Sequence, residues 1–449
     1  MKRLAILLFI SVATLPSVSF AQVKEKKSAQ FNAVTRPKNL SDSALLDQVQ
    51  KQTFRYFWDF AHPVSGLARE RSNMGNDYGP ETTTTGGTGF GIMSIIVAAE
   101  RGWISRDTAL GHLLKMVRFL RKADKFHGAF PHWLNGETGN AVPFSPKDDG
   151  ADLVETAYLF QGLLCARQYF NQDNARENQL RNRITWLWNE IEWDWFTRGG
   201  ISVLYWHWSP NHGWSMNNEI RGWNECLITY VLAASSANYS IKPDVYHRGW
   251  ANSSHFRSER EFYKIKLPLG YDYGGPLFFS HYSFLGLDPR GLKDRYADYW
   301  EQNKNHTLIN RAYCIDNPKE FKGYGENNWG LTASDTWNGY DAHSPTNDNG
   351  TITPTAALSA FPYTPEYSMQ ALKYFYNDLG DKIWSEYGFT DAFNETKNWF
   401  ATSHLAIDQG PIIVMIENYR SGLLWKLFMS CPEIKIGLKK LGFESPWIK

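Results

Sequence analysis

An all-α toroid of six helix pairs, with long loops and minor β-hairpins gathered at one end, is the fold class the sequence predicts. Three observations predict it. A Gly- and aromatic-rich loop leading into an apolar helix recurs along the chain, as at residues 86–99, 205–236, 271–284 and 321–337. Helix pairs follow one another at roughly 40 to 55 residues without a shared consensus, so the repetition is structural and six pairs fill the 449 residues. Val and Ile runs that build a parallel sheet are absent, and residues 200–208 offer only one arm of a hairpin.

Taken in order, residues 1–22 carry a basic start (Lys2, Arg3), an apolar run and a small-residue end. They read as a signal peptide cut after Ala21, which predicts a periplasmic or secreted protein. No Cys follows the cut to carry a lipid, and nothing later is apolar enough to span a bilayer. Residues 22–40 are charged and aperiodic, a flexible leader into a single domain over 41–449. Ser41 opens a helix whose apolar face is Leu45, Val49, Phe54, Phe57 and Trp58. The glycines at 86–91 predict a loop before the helix from Ile92; without a Gly-Lys-Ser/Thr ending they form no P-loop. Residues 105–125 are an amphipathic helix with a basic face of Lys115, Arg118, Arg121 and Lys122. His127 and His132, five apart in a Pro-containing loop, predict loop hydrogen bonds, and no metal is expected.

Residues 145–165 place Asp148, Asp149 and Asp152 at a helix start. A helical first turn would put Asp148 and Asp152 on one side, with Asp148 or Asp149 as the cap and Asp152 inside the helix. Residues 222–239 repeat the design: Glu225 stands between an aromatic loop and a helix of Leu227, Ile228, Val231 and Leu232. A carboxyl so placed is desolvated and keeps its proton near neutral pH, as a general acid must. Further helices are expected over 176–193, 294–311, 352–380 and 405–430. Cys165, Cys226, Cys314 and Cys431 have no metal-ligand spacing and read as buried free thiols, with one disulfide as the alternative that an exported chain allows.

The net charge of +1 predicts no polyanionic partner such as nucleic acid, and a monomer is expected. The 15% aromatic content, with 19 Trp, suits stacking on sugar faces. Trp133, Trp223, Trp329 and Trp337, each beside a Gly or a carboxylate, are the candidate platforms. His281, Glu326, Asp335 and Asp408 are candidate partners for sugar hydroxyls.

With these motifs in hand, the sequence resembles the bacterial endo-β-1,2-glucanase family, glycoside hydrolase family 144. It resembles more distantly the glycoamylase-like modules of cyclic β-1,2-glucan enzymes. The resemblance covers nearly all of 41–449 and is carried by residues 221–225 (Arg-Gly-Trp-Asn-Glu), 328–335 (Asn-Trp-Gly-Leu-Thr-Ala-Ser-Asp) and 406–422. It implies an (α/α)6 barrel, no cofactor, and inverting hydrolysis of β-1,2-glucan with acids at Asp148, Asp152 and Glu225. Inversion needs one acid and one base. Glu225 is the expected acid, and the Asp148/Asp152 cluster is expected to supply or position the base. Exo release of sophorose is the alternative activity, with 240–275 as the wall that closes the cleft. A non-catalytic glucan-binding protein is the alternative of another class.

Overall fold

The computed structural model describes residues 34–73 and 79–448. The expected signal peptide and most of the leader lie outside the described residues.

Outer and inner helices alternate along the chain. Outer α1 (Asp42–Trp58) leads to inner α2 (Thr85–Glu100), outer α3 (Arg106–Leu120) to inner α4 (Leu153–Tyr169), and outer α5 (Ala175–Asn189) to inner α6 (Leu227–Ser235). A π-helical turn at Val245–Trp250 and 3-10 turns at Leu277–Ser280 and Tyr282–Phe284 take the fourth outer and inner places. Outer α7 (Tyr299–Asp316) leads to inner α8 (Pro354–Leu358). Outer α9 (Pro365–Lys373) and the short α10 (Gly380–Ile383) lead to inner α11 (Ala406–Arg420). The ring closes where α11 packs on α2, while α12 (Leu423–Ser430) and α13 (Pro432–Lys440) cover α4 and α6 from outside.

The division follows from the sequence. The inner helices are apolar nearly all round and buried along almost their whole length, as such helices must be. The outer ones keep one apolar stripe; on α3 it is Leu110, Leu113, Leu114, Val117 and Leu120, with Ser105 accepting Thr108 N–H as the cap.

The glycine run at 86–91 is helical, not a loop. Thr84 caps α2, and the missing side chains let α2 lie directly on α4: a Cβ at Gly89 would strike the Tyr158 carbonyl, and one at Gly162 the Gly89 carbonyl. That close approach outweighs the weak helix propensity of glycine.

Short strands collect at the N-terminal ends of the inner helices. β1 (Thr82–Thr84), β2 (Trp133–Asn135) and β3 (Ala141–Val142) form one antiparallel sheet, and β1 runs straight into α2. β4 (Ala151–Asp152) runs into α4 and pairs with β5 (His207–Trp208), in register Asp152 to His207. The expected strand at 200–208 is therefore present in part, but its partner is the acidic segment. Two hairpins follow: β6 (Arg257–Phe262) with β7 (Ile265–Leu269), packed along α7, and β8 (Ala333–Thr336) with β9 (Gly339–Ala342), at the rim. The four cysteines are free and buried. No helix among the described residues is long and apolar enough to cross a membrane.

Candidate active site

The inner helices start around one cavity of about 230 Å³. Small-molecule pockets run roughly 300–1,000 Å³, so this hollow suits one reacting ring with its neighbours on the rim. Its lining has two acidic sides bridged by apolar rings, Tyr282 and Phe278 among them.

The first side is built on the start of α4. Asp152 is the N-cap: its Oδ1 accepts Val154 N–H (3.0 Å), Glu155 N–H (2.9 Å) and Trp206 Nε1–H (3.0 Å). Its Oδ2 accepts His132 Nδ1–H at 2.9 Å, and His207 Nε2 lies at 3.6 Å. Burial alone would raise its pKa, but the His132 bond and the neighbouring His207 ring hold Asp152 well below the usual carboxylate range. The same charge works back on His132. Burial pulls the imidazole down, Glu155 and Asp152 outweigh it, and His132 is pushed up to about 9, a cation on the cavity wall.

Asp148 lies behind, 3.5 Å from His207 Nε2, and burial together with Asp152 pushes it up to about 6. The expected helical turn is not there: Asp148 sits in a turn closed by Ser145, and Asp152 caps the helix instead of lying inside it. The two nevertheless meet at His207, because β5 pairs with β4. His132, Asp148 and Asp152 could together hold a cation, their ligand atoms lying within 4.8 Å of one another. Asp152 is already committed to hydrogen bonds on both oxygens, which favours the bonded network.

Glu155, one turn into α4, lines the cavity and accepts Gly86 N–H at 2.7 Å. Burial raises it to about 7, with His132 opposing. Glu225 faces the same space from two residues before α6, half-buried, its carbonyl held by Ser283 Oγ–H. Burial pushes its carboxyl up to about 7, and Glu155 and Asp152 add to the shift. Both carboxyls thus stand near 7; at Glu155 the His132 cation and the Gly86 amide oppose the rise, and at Glu225 a backbone hydrogen bond does.

The second side is built on Arg71, whose guanidinium donates to Glu70 (2.8 Å) and to both oxygens of Asp335 (2.9 and 3.0 Å). Ser403 Oγ–H also donates to Asp335, and Asp335 N–H donates to Asp391 at 2.6 Å. Asp391 and Asp408 sit behind, both buried. Both oxygens of Asp408 and one of Asp391 lack a donor among the described residues. Burial and Asp408 raise Asp391 far above its ordinary range, and burial raises Asp408 to about 7. At least one of the two keeps its proton, since neighbouring buried carboxylates cannot both ionise. Tyr340 on β9, 54% exposed, projects over this side of the cavity.

The other predicted residues divide by burial. Trp133 lines the cavity against Phe144. Trp223 and Trp329 do not serve as platforms: both are 0% exposed, and Trp223 packs on Tyr299 and Phe284 in the core. Their neighbouring glycines reflect tight packing. His281 is buried, driven down to about 3 by burial, and is a neutral ring facing Tyr363. Glu326 is exposed on a loop whose carbonyl accepts from Arg311, away from the cavity. Trp337 is at the exposed tip of the β8–β9 hairpin with Lys397 over its ring. Sequence reasoning missed Glu155, His132, Glu70, Arg71, Phe144 and Tyr340. Only Glu155 left a signal, an acid three residues after an Asp cap in the capping-box spacing.

A family model described as “Putative glucoamylase” matches residues 217–432. The chain is 47% identical over 447 residues to an exo β-1,2-glucooligosaccharide sophorohydrolase (non-reducing end) of Parabacteroides distasonis. The match takes in 95% of this chain and spans 61% of the length of that protein. Among solved structures, an endo-β-1,2-glucanase from Chitinophaga pinensis is 58% identical, with a TM-score of 0.89, over 91% of this chain and 100% of the other. A Bacteroides uniformis protein whose structure carries the glucoamylase description is 63% identical, with a TM-score of 0.90, over 92% of this chain and 100% of the other. An endo-β-1,2-glucanase from Talaromyces funiculosus, 11% identical with a TM-score of 0.56 over 87% of this chain and 88% of its own, shares the fold alone.

Proposed function

This chain belongs to the β-1,2-glucanase family of glucoamylase-like (α/α)6 proteins, and from that premise we propose that it hydrolyses β-1,2-linked glucan with inversion at the anomeric carbon. The observation that carries the reading is the pair Glu225 and Glu155, two cavity carboxyls near pKa 7 whose surroundings differ.

Glu225 donates its proton to the glycosidic oxygen as the C–O bond breaks. Glu155, ionised beside His132, takes a proton from the water that attacks the other face of the ring. Asp152 acts one step back: its charge holds His132 protonated and its cap fixes the turn that carries Glu155. Asp148 tunes the same network through His207. Phe144, 49% exposed and lying on His132 with ring centres 4.2 Å apart, offers a face for the apolar side of a glucosyl ring. A pure binding protein has no use for a protonated carboxyl beside an ionised one, which sets that alternative aside.

Endo cleavage is the reading we favour, because the relative named for it is 58% identical and matched over its whole length. Exo release of sophorose is the second reading, favoured by the sophorohydrolase relative. Early products from long linear β-1,2-glucan decide it: a spread of lengths for endo, a single disaccharide for exo. NMR of the first-formed anomer tests inversion; a retained β-anomer would sink the mechanism. Export and a monomeric state belong to the same proposal, and cell fractionation and size-exclusion chromatography test them.

A further inference from the structure

On the outside of the ring, one face of α5 is neither apolar nor ordinarily charged. Asn178, Asn182 and Trp186 recur at four-residue spacing, with Gln179 and Arg183 in the adjacent row, so all five project from one side of the helix. They line a notch of about 440 Å³ closed by Arg121, the C-cap residue of α3. That volume is in the small-ligand range.

Two features make the notch unusual. Trp186 is 41% exposed, and the Arg121 guanidinium lies 4.7 Å above its ring, with Lys125 Nζ at 5.9 Å. An indole left at the surface under a cation is an amphipathic platform. The positive charge around it is also unbalanced. Arg118, Arg121 and Arg183 form no ion pair among the described residues, and the Nη1 of Arg183 is buried without an acceptor. Glu190 is the carboxylate that faces Lys125 and Arg121, and it pairs with neither. The other outer arginines nearby are matched: Arg106 holds Glu177 and Arg176 holds Asp107.

We propose that this notch is a second, non-catalytic binding site for an acidic carbohydrate, a glycan whose sugar rings carry oxyanion groups. The orphan guanidinium and its neighbours take the oxyanion, which planar guanidinium donors match in geometry. Gln179 and Asn182 supply amide donors and acceptors for hydroxyls, while Asn178 is held by Asp173 and Arg181 and shapes the wall, and the indole edge supplies apolar contact. A recess between two helices fits a chain of sugar rings better than the broad plane of a bilayer. The carbohydrate part of the inference rests on the proposed glucan activity; the anionic part rests on the charge pattern alone.

The test is affinity electrophoresis of the full chain and of Arg183→Gln and Trp186→Ala in gels containing carboxymethylated β-1,2-glucan. Hydrolysis of short neutral β-1,2-glucooligosaccharides is measured in parallel. The expected result is retardation of the wild type that weakens about tenfold in either variant and fades with salt, while short-substrate turnover is unchanged. Arg183→Gln keeps polarity and most of the side-chain length at a half-buried site, so it reports even if Trp186→Ala fails to fold. Equal retardation in wild type and Arg183→Gln overturns the site. Equal retardation by unmodified glucan overturns its preference for charge. Binding to vesicles of anionic phospholipid without retardation by the acidic glucan assigns the patch to a membrane and overturns the proposal. Loss of short-substrate turnover in Glu225→Gln bears only on the catalytic reading, so the two fail separately.

Discussion

The two acidic sides of the cavity are built from the same kinds of residue and do opposite things with them. On the α4 side, Asp152 accepts from two backbone amides, an indole and His132, and its charge passes through His132 to carboxyls that line the cavity. On the Arg71 side, the guanidinium neutralises Glu70 and Asp335 at the surface, and the unsatisfied pair Asp391 and Asp408 is sealed behind them. A satisfied anion next to desolvated carboxyls that line the cavity is arranged to move protons. A satisfied cation in front of a buried carboxyl pair is arranged to hold loops together: Arg71 and Asp335 tie the 70s segment to β8, and Ser403 ties both to the approach to α11.

The largest effect expected from this contrast is at Glu225. Glu225→Gln keeps shape and removes the transferable proton, so turnover on β-1,2-glucan should fall about 10²–10⁴-fold with little change in KM. The pH profile carries the sign. Glu225 works protonated and has a pKa of about 7, so the rate of the wild type falls as pH rises through that value. The variant should lose that limb. A variant that keeps both turnover and limb would remove the acid from the α4 side altogether.

The next test sets one side against the other. Glu155→Gln should lower turnover about 10²-fold or more, whereas Asp408→Asn should leave it within about tenfold. Asp408 has the specific feature that would make it a rival, two buried oxygens without a donor. If Asp408→Asn proves the worse of the two, the base lies behind Arg71 and the roles of the two sides are exchanged.

Much of the fold was legible because it depends on local pattern. Ser41, Ser105 and the apolar stripe of α3 mark their helices directly, and the loop-to-helix rhythm located Asp152 and Glu225 at inner helix starts, though Asp148 proved to lie in the turn before α4. What was not legible depends on contacts between distant segments. Glycines 86–91 read as a loop because nothing local says that α4 will lie against them. His132 became a cavity cation only through Glu155 and Asp152, the latter 20 residues on, and Arg71 gained its meaning from Asp335, 264 residues on. Trp223 and Trp329 show the converse error: a Trp beside a Gly or an acid looks the same in a core corner as on a sugar platform, and only burial separates them.

A smaller effect separates charge from capping within the α4 side. Asn is about as good an N-cap as Asp, so Asp152→Asn preserves the start of α4 and removes the charge together with the Oδ2 acceptor of His132 Nδ1–H. His132 then loses one of its two largest positive influences and its pKa should drop from about 9. Turnover is expected to fall about 10–100-fold, with far-UV CD unchanged and the His132 ring titrating at lower pH by NMR. Unchanged His132 titration would show that Glu155 alone holds it protonated, and Asp152 would revert to a plain cap.

The smallest effect concerns stability on the Arg71 side. Asp408 has a folded pKa of about 7 against an ordinary value near 3.8. Between those values the folded protein binds the proton and the unfolded chain does not, so this residue's contribution falls as pH rises from about 4 to 7 and stays low above it. Asp408→Asn removes that penalty without removing bulk, and the amide can donate to Asp391 where the carboxylate could not. The variant should therefore match the wild type near pH 4 and melt about 1–3 °C higher at pH 8, read by scanning calorimetry at both pH values. A gain of the same size at both would trace the benefit to the new donor and not to the buried charge. A loss at pH 8 would mean that the Asp408 anion is stabilised in the native state, and the buried pair would then belong with the ionised carboxylates of the opposite side.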